Sequence, residues 1–399
     1  MIRHILKIVW NRKRANALIV VEIFLSFLVL FAVLTLASAL IGSVRQPLGF
    51  EWREVWNIRV ESNRMAEESG RAERERQALE LMMRELRTMP EVVAVAGSAM
   101  PAYSMGSMEG IWTINGKRVF VSQDQVTDGF AEVMQLKVLR GRWFGPQDDA
   151  ANYAPVVIDA DLAAAVYGSE DPVGQKFDNQ EEREIRVIGV VPSYRKSGEF
   201  ANFGKPLNIV FERVSVNNSE RLSGNLLIRL RPGTPASFEQ ALNERLHQIA
   251  PQMNFRIRQM SRMRQFAHRT ALFPLVALAM VATFLIAMVV LGLSGVLWQN
   301  VTRRTREIGL RRAVGASGPA VQRQIVGEVA MLTTLAVVLG LGVVTQLPLL
   351  GLLTVITPSA FAGGLAGSLA AIYALTVLCG VYPGWLASRV QPAQALHYE

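Results

Sequence analysis

Four long apolar runs constrain this fold more than any other feature. Residues 271–298 contain no charged residue, residues 17–41 contain only Glu22, and residues 324–388 contain only Glu328. About 20 apolar residues cross the hydrocarbon core of a bilayer, where the backbone must bond to itself as a helix. The last run is long enough for two spans joined by a turn around residues 357–359. The sequence therefore predicts transmembrane helices at 17–41, 271–298, 325–347 and 363–387.

The positive charge of the chain follows the apolar runs. Half of the residues are hydrophobic, yet 19% are charged and the net charge is +9, so the chain must be divided between membrane and water. The arginines flank spans and do not alternate with aromatic residues, which favours a membrane protein over a nucleic-acid-binding one. The lipid bilayer is thus an expected partner, and nucleic acid is not.

Basic residues also predict the orientation. They precede the first span in residues 1–16, crowd residues 299–323 and recur in residues 388–399. The positive-inside rule then places both termini in the cytoplasm and residues 43–270 on the outer side of the membrane. A cleaved signal peptide would also begin with basic residues, but the first run is too long and lacks a prompt Ala-x-Ala site, which favours an uncleaved anchor. Glu22 and Glu328 lie near the cytoplasmic ends of spans, where we expect structural roles.

The segment 43–270 predicts a large α+β extracytoplasmic domain. A strand–helix–strand pattern occurs at each of its ends, at 55–60, 67–89 and 92–97, and again at 225–230, 236–250 and 255–259. We interpret the two ends (43–100 and 222–270) as one split βαβ subdomain beside the membrane. The middle, 101–221, is expected to form a distal β-rich subdomain, beginning with a hairpin turned by Asn115-Gly116.

Enzymatic motifs are absent from the sequence. There is no P-loop, no Gly-x-Ser-x-Gly elbow and no His-Glu-x-x-His, and the single cysteine, Cys379, excludes an intrachain disulfide. The scattered histidines read as ordinary surface or interface residues, and Asp148-Asp149 as a solvated pair. The histidines are His4, His247, His268 and His397. We expect no catalytic residues, metal or cofactor on this chain.

The basic segment between the second and third spans is the candidate functional site. Its candidate residues are Arg303, Arg304, Arg306, Glu307, Ile308, Gly309, Leu310, Arg311, Arg312 and Gly315. The apolar spacing suits a short amphipathic helix, which Gly315 would end before Ser317 and Pro319 begin the next. A helix–break–helix here indicates a docking surface for a soluble partner. The alternative is a topology signal and nothing more.

Several motifs resemble one family of membrane proteins. The stretch TREIGLRRAVGAS (305–317) and YPGWLASR (382–389) resemble the FtsX-type domain of ABC transporter permeases. In the outward domain, LRGRWF (139–144), PVVI (155–158) and VIGVV (187–191) are similar to the MacB-type periplasmic core domain. The resemblance implies a permease of the bacterial inner membrane, of the type VII, mechanotransmission class, whose membrane-near subdomain is porter-like. No fused ATPase domain is recognisable, so the ATPase would be a separate protein.

The resemblance also implies partners and an activity. It implies two cytoplasmic ABC ATPase subunits holding Mg-ATP, a second permease copy or paralogue, and allows a periplasmic adaptor or outer-membrane factor. Closing of the ATPases would move the outward domains and drive export or extraction of a peptide, antibiotic, toxin or lipoprotein. The alternative is an FtsX-like regulator that activates a cell-wall hydrolase and transports nothing.

Overall fold

A computed structural model describes residues 13–61, 71–104, 106–177, 184–199, 207–214, 224–303, 310, 314, 317–351 and 356–388. The elements in chain order are α1 (Lys13–Val44), β1 (Val55–Glu61), α2 (Arg71–Leu86), β2 (Val92–Gly97), β3 (Met108–Ile114), β4 (Lys117–Val126), α3 (Phe130–Met134), β5 (Arg140–Gly141), β6 (Ala154–Asp159), α4 (Ala160–Tyr167), β7 (Lys176–Phe177), β8 (Ile185–Val191), β9 (Ile209–Arg213), β10 (Asn225–Leu230), α5 (Phe238–Ile249), β11 (Asn254–Gln259), α6 (Met260–Arg303), α7 (Gly318–Val344), α8 (Gln346–Leu349) and α9 (Pro358–Ser388).

The chain divides into two compact units. A helical unit comprises Met1–Gly42 and Leu272–Glu399, and a globular unit comprises Ser43–Ala271. Four described helical stretches are long and apolar enough to cross a membrane, namely Ile19–Val44, Met260–Gly292, Gly318–Leu349 and Pro358–Val381. The predicted fold class, four spans and a large α+β domain, is therefore confirmed.

The four long helices all begin before the predicted spans do, and α6 and α9 show why. Helix α6 starts at Met260, not at residue 271, because no proline or glycine interrupts the polar stretch before the apolar one. Helix α9 starts at Pro358, not at residue 363; proline suits a first helical position, and the Thr357 hydroxyl accepts the Ala360 N–H at 3.4 Å. Hydropathy marks where lipid could begin, whereas backbone bonding decides where a helix begins.

Helix α1 packs against α7 and α9 within the helical unit. Phe27 is fully buried there, and the Phe31 and Phe361 rings meet edge to face with centroids 5.4 Å apart. The Thr333 and Thr376 hydroxyls share a hydrogen bond of 2.9 Å that joins α7 to α9. Small residues and interhelical hydroxyl bonds of this kind are typical of helices packed in membranes.

The two acidic residues of the spans have local neighbours. The Glu22 carboxylate lies against α6, where a Cβ added to Gly292 would stand 2.6 Å from its Oε2. The Glu328 carboxylate accepts a bond of 3.3 Å from the Gln324 amide, one helical turn earlier. These contacts are compatible with the structural roles expected from the sequence.

The first sheet of the globular unit joins the two ends of segment 43–270. Its order is β11-β1-β10-β2, with every pairing antiparallel. Helices α2 and α5 cover one face, and four apolar side chains of α2 are buried there, namely Leu79, Met82, Met83 and Leu86. The split βαβ arrangement is therefore confirmed, because β1 pairs on both sides with strands that follow more than 160 residues later.

The second sheet is mixed and has the order β3-β4-β9-β6-β8-β5, with β7 also paired to β8. The predicted hairpin joins β3 to β4, with Asn115 at φ 50° and Gly116 at φ 74°, as an Asn-Gly turn requires. Helix α4 is capped by Asp159, which accepts the Leu162 N–H at 3.0 Å. Strand β9 was not predicted, nor were the parallel pairings of β4 with β9 and of β6 with β8.

Candidate functional site

The basic segment 299–323, which we call the coupling segment, is described at its two ends and at two interior residues. Helix α6 ends at Arg303, and α7 begins after Ser317, whose extended backbone (φ −71°, ψ 149°) precedes Pro319 in the first turn. This is the helix start that the sequence predicts. Between them, the Val314 N–H donates to the Leu310 carbonyl at 3.1 Å, which is the bond of one helical turn.

The described interior residues of the segment are apolar and exposed. Leu310 is 56% exposed and Val314 is 82% exposed. The predicted docking residues Arg304, Arg306, Glu307, Ile308, Gly309, Arg311, Arg312 and Gly315 lie outside the described residues, as does the side chain of Arg303. The docking role of the segment therefore remains a prediction, and Leu310 is the only member of the set whose exposure is described.

A second candidate site was not predicted from the sequence. Glu199 is buried in the globular unit, and its carboxylate accepts bonds from two side chains of α6. The Arg264 Nε donates to Oε1 at 2.8 Å, and the His268 Nε2 lies 2.8 Å from Oε2, which requires the proton on Nε2. Residues four apart share one helix face, so α6 presents both donors to the same carboxylate.

Glu199 lies in the loop that follows β8, and this loop also holds the end of helix α1. The Arg195 Nη1 donates to the Ser43 carbonyl at 2.5 Å, and its Nη2 donates to the Ser43 hydroxyl and, at 3.1 Å, to the Glu199 carbonyl. The Ser43 hydroxyl in turn donates to the Glu199 carbonyl. We call Ser43, Arg195, Glu199, Arg264 and His268 the clasp, because these residues tie the last turn of α1 and the first turns of α6 to one loop.

The charges of the clasp favour an ionised Glu199. Burial raises the pKa of Glu199, but the bonds from Arg264 and His268 outweigh burial, so its pKa lies below the ordinary value of 4.5. The Arg264 guanidinium also lies over the Trp52 ring, 4.6 Å from its centroid. Charge-assisted bonds are stronger than neutral ones, so the clasp is a firm connection between elements distant in sequence.

Two sequence interpretations need correction here. His268 is an internal partner of Glu199 and not an ordinary surface residue. Asp148 and Asp149 are not a solvated pair: Asp148 is buried and bonded to Arg142 at 2.7 Å, while Asp149 accepts from Arg213 at 2.6 Å. Arginine pairing satisfies both carboxylates, and the described residues contain no group of three or more side chains suited to a metal ion.

Comparison with known proteins assigns the family. A family model of the MacB-like periplasmic core domain matches residues 17–245, more than half of the chain. The chain belongs to the MacB-like family of ABC transporter permeases. A second model, the FtsX-like permease C-terminal domain, matches residues 279–392 of this permease and so includes the coupling segment. The family assignment made from sequence motifs is confirmed.

Two relatives and one solved structure are similar to this permease. The macrolide export ATP-binding/permease protein MacB 2 of Aeromonas hydrophila is 29% identical over 296 residues, which is 72% of this permease and 44% of the relative. MacB of Pasteurella multocida is 27% identical over 291 residues, 69% and 42% of the two chains. The permease thus spans less than half the length of these relatives. The periplasmic region of MacB from Actinobacillus actinomycetemcomitans covers 56% of this permease at 17% identity, with a TM-score of 0.38.

Proposed function

We propose that this permease converts ATP hydrolysis by a separate cytoplasmic ATPase into movement of its globular unit, and thereby drives export or extraction of a substrate outside the inner membrane. One observation carries this proposal. Two helices lead into the globular unit, and the last turn of α1 and the first turns of α6 are both bonded within the clasp. A displacement of either helix is therefore passed to the same loop. Helices bonded in this way transmit a stroke that a flexible linker would absorb.

The coupling end of the pathway is supported by charge and exposure. Residues 301–317 carry five arginines and one glutamate, and Leu310 and Val314 are exposed apolar residues among them. Arginines steer a partner and desolvated apolar side chains anchor it, which suits a docking surface for an ATPase subunit. The basic flanks of the spans support a cytoplasmic position for this segment and an outward position for the globular unit.

The class of substrate is proposed from the relatives. Their names describe macrolide export, and a probable syringafactin exporter of Pseudomonas syringae is 25% identical over 279 residues. We therefore propose a peptide, antibiotic, toxin or lipoprotein as the substrate, and a permease dimer with two ATPase subunits as the working assembly.

The proposal is tested on the complex purified through a tag on this chain from its native membranes. Mg-ATP with vanadate should change hydrogen exchange in residues 260–271, because the clasp passes the stroke to the first turns of α6. Glu307→Lys should abolish co-purification of the ATPase. His268→Phe should keep the ATPase bound and hydrolytically active but lose most of the exchange response, since it removes the donor to Glu199 and keeps a ring of similar size.

Two results would contradict the proposal. If nucleotide leaves the exchange of the globular unit unchanged in the unaltered complex, no stroke reaches it. If Glu307→Lys leaves the ATPase bound, the segment is only a topology signal, because this substitution adds positive charge and preserves that signal. His247→Phe is the matched control for the clasp variant: His247 lies on α5, away from the clasp, and bonds to the Asn243 carbonyl at 2.9 Å.

A further inference from the structure

Helix α6 has two different faces in its first three turns. Met260 and Met263 are buried in the core of the globular unit, and Arg264 and His268 bond to Glu199. Residues 262, 266 and 269 lie on the opposite face, at spacings of four and three. All three side chains are exposed, and the Phe266 ring is 57% exposed. We call Arg262, Phe266 and Arg269 the basic–aromatic stripe.

The stripe carries positive charge that is not neutralised nearby. Among the residues that the structure describes, neither Arg262 nor Arg269 has an acidic group within ion-pair distance, whereas Arg264 is paired with Glu199. Helix α6 contains no aspartate or glutamate along its whole length. Two positively charged guanidinium groups, with an aromatic ring between them, are therefore exposed on one side of the helix.

The position of the stripe along α6 matches the headgroup layer of a bilayer. At 1.5 Å per residue, Arg269 lies about 3 Å and Arg262 about 13 Å before residue 271, where the uncharged stretch of this unbroken helix begins. The polar layer of a bilayer leaflet is roughly 5–8 Å thick, so Arg269 lies within it. The long side chain of Arg262 can reach back toward this layer from its greater distance. The stripe thus lies directly before the start of the apolar span.

The charge of this flank is unusual for the orientation proposed above. Basic residues are normally depleted on the outward flank of a span, yet residues 262–269 contain three arginines. Arg264 is accounted for by Glu199, which leaves the two arginines of the stripe. A guanidinium binds phosphate oxygens in a bidentate manner, and an aromatic ring lies favourably among lipid headgroups.

We propose that Arg262, Phe266 and Arg269 form a docking surface for the phosphate headgroups of anionic phospholipids in the outer leaflet. This inference rests on the proposed function only for the outward orientation of the globular unit. Bound headgroups would hold the start of the α6 span at a fixed depth, so that a stroke moves the globular unit and does not slide the helix through the bilayer.

The test uses the full chain in phosphatidylcholine nanodiscs. Gln265→Cys, in a Cys379→Ser background, places a bimane fluorophore beside the stripe. A trace lipid carries the same nitroxide quencher at the top of its acyl chain, with either a phosphatidylglycerol or a phosphatidylcholine headgroup. We expect stronger quenching by the anionic lipid, because each arginine near an anionic headgroup contributes about a fivefold preference.

Two double variants separate local docking from general charge. Arg262→Gln with Arg269→Gln should abolish the preference for the anionic lipid. Arg87→Gln with Arg118→Gln removes the same charge from exposed positions elsewhere in the globular unit and should preserve the preference. Equal quenching by both lipids in the unaltered chain would overturn lipid docking and leave an acidic protein segment as the occupant.

A further measurement separates this inference from the orientation on which it rests. Gln265→Cys in intact spheroplasts should react with a membrane-impermeant maleimide, and so should Asn115→Cys in the same background. If neither cysteine reacts while the nanodisc preference persists, the proposed orientation is wrong and the lipid surface stands. If both react and the preference is absent, the orientation stands and the lipid surface is wrong.

Discussion

At the residue scale, the most unusual environment is that of Asp124 in β4. Its carboxylate is fully buried and accepts bonds from the Ser98 hydroxyl at 3.0 Å and the Met100 N–H at 2.9 Å. Burial raises the pKa of Asp124 to about 7, although the charge of Lys196, itself 2% exposed, opposes this shift. Ser98 follows the first sheet and Asp124 lies in the second, so this carboxylate sits where the two sheets meet.

The raised pKa of Asp124 predicts a pH dependence of stability. Between its ordinary pKa of 3.8 and about 7, the folded chain holds a proton that the unfolded chain has released. Stability should therefore fall as the pH rises through this window, and the loss should be complete above it. Burial raises the pKa of Asp159 to about 7 as well, so part of the decline comes from that residue.

Asp124→Asn should reduce the fall in unfolding temperature between pH 5 and pH 8, measured by tryptophan fluorescence on the full chain. At pH 8, where Asp124 is ionised, the substitution also removes the counter-charge of Lys196, so the difference between the two pH values is the relevant measure. Exposed Glu132→Gln should keep the dependence of the unaltered chain. An unchanged dependence in Asp124→Asn would show that Asp124 is ionised throughout.

At the element scale, close approach of helices in the helical unit depends on glycine. A Cβ added to Gly364 of α9 would collide with the Thr35 hydroxyl and would lie 2.5 Å from its Cα, so the backbone of α1 itself is in the way. Gly342 of α7, in contrast, has open space at its Cβ position. Small residues at one side of a helix allow neighbouring backbones to approach in this way.

Gly364→Ala should therefore destabilise the helical unit, by roughly 1–3 kcal/mol as is typical of overpacking in a filled core. The midpoint of unfolding by sodium dodecyl sulfate in mixed micelles measures the effect. Gly342→Ala adds the same methyl group where nothing opposes it and should leave the midpoint nearly unchanged. Equal midpoints for the two variants would mean that α1 and α9 do not pack at Thr35 and Gly364.

At the scale of the whole molecule, the globular unit is closed by its own two ends. Strand β1 has β10 on one side and β11 on the other, and both follow the whole inserted second sheet. Arg229 of β10 reinforces this closure, since its buried guanidinium donates to the carbonyls of Val133 at 2.7 Å, Arg53 at 3.0 Å and Glu51 at 2.8 Å.

A fragment of residues 43–270 should accordingly unfold cooperatively as an α+β protein. A fragment that stops at residue 223 lacks β10, α5 and β11, and β1 then has no neighbour from the sheet that it forms in the full unit. The shorter fragment should lose cooperative unfolding in urea, followed by circular dichroism. A transition as sharp as that of the longer fragment would mean that the second sheet is stable without the first.

The sequence by itself determined the spans, the strands and helices of the first sheet and the hairpin, because each rests on a local requirement. Lipid demands an uninterrupted apolar helix, a sheet face demands alternation, and an Asn-Gly turn demands positive φ. Only the tertiary structure decided the parallel pairing of β4 with β9, the ion pairs of Asp148 and Asp149, and the clasp. Glu199 meets Arg264 and His268 across 65 and 69 residues, and meets Ser43 across 156. Which carboxylate an arginine reaches depends on how elements distant in sequence pack together. The periodicity of residues along one element does not predict that packing.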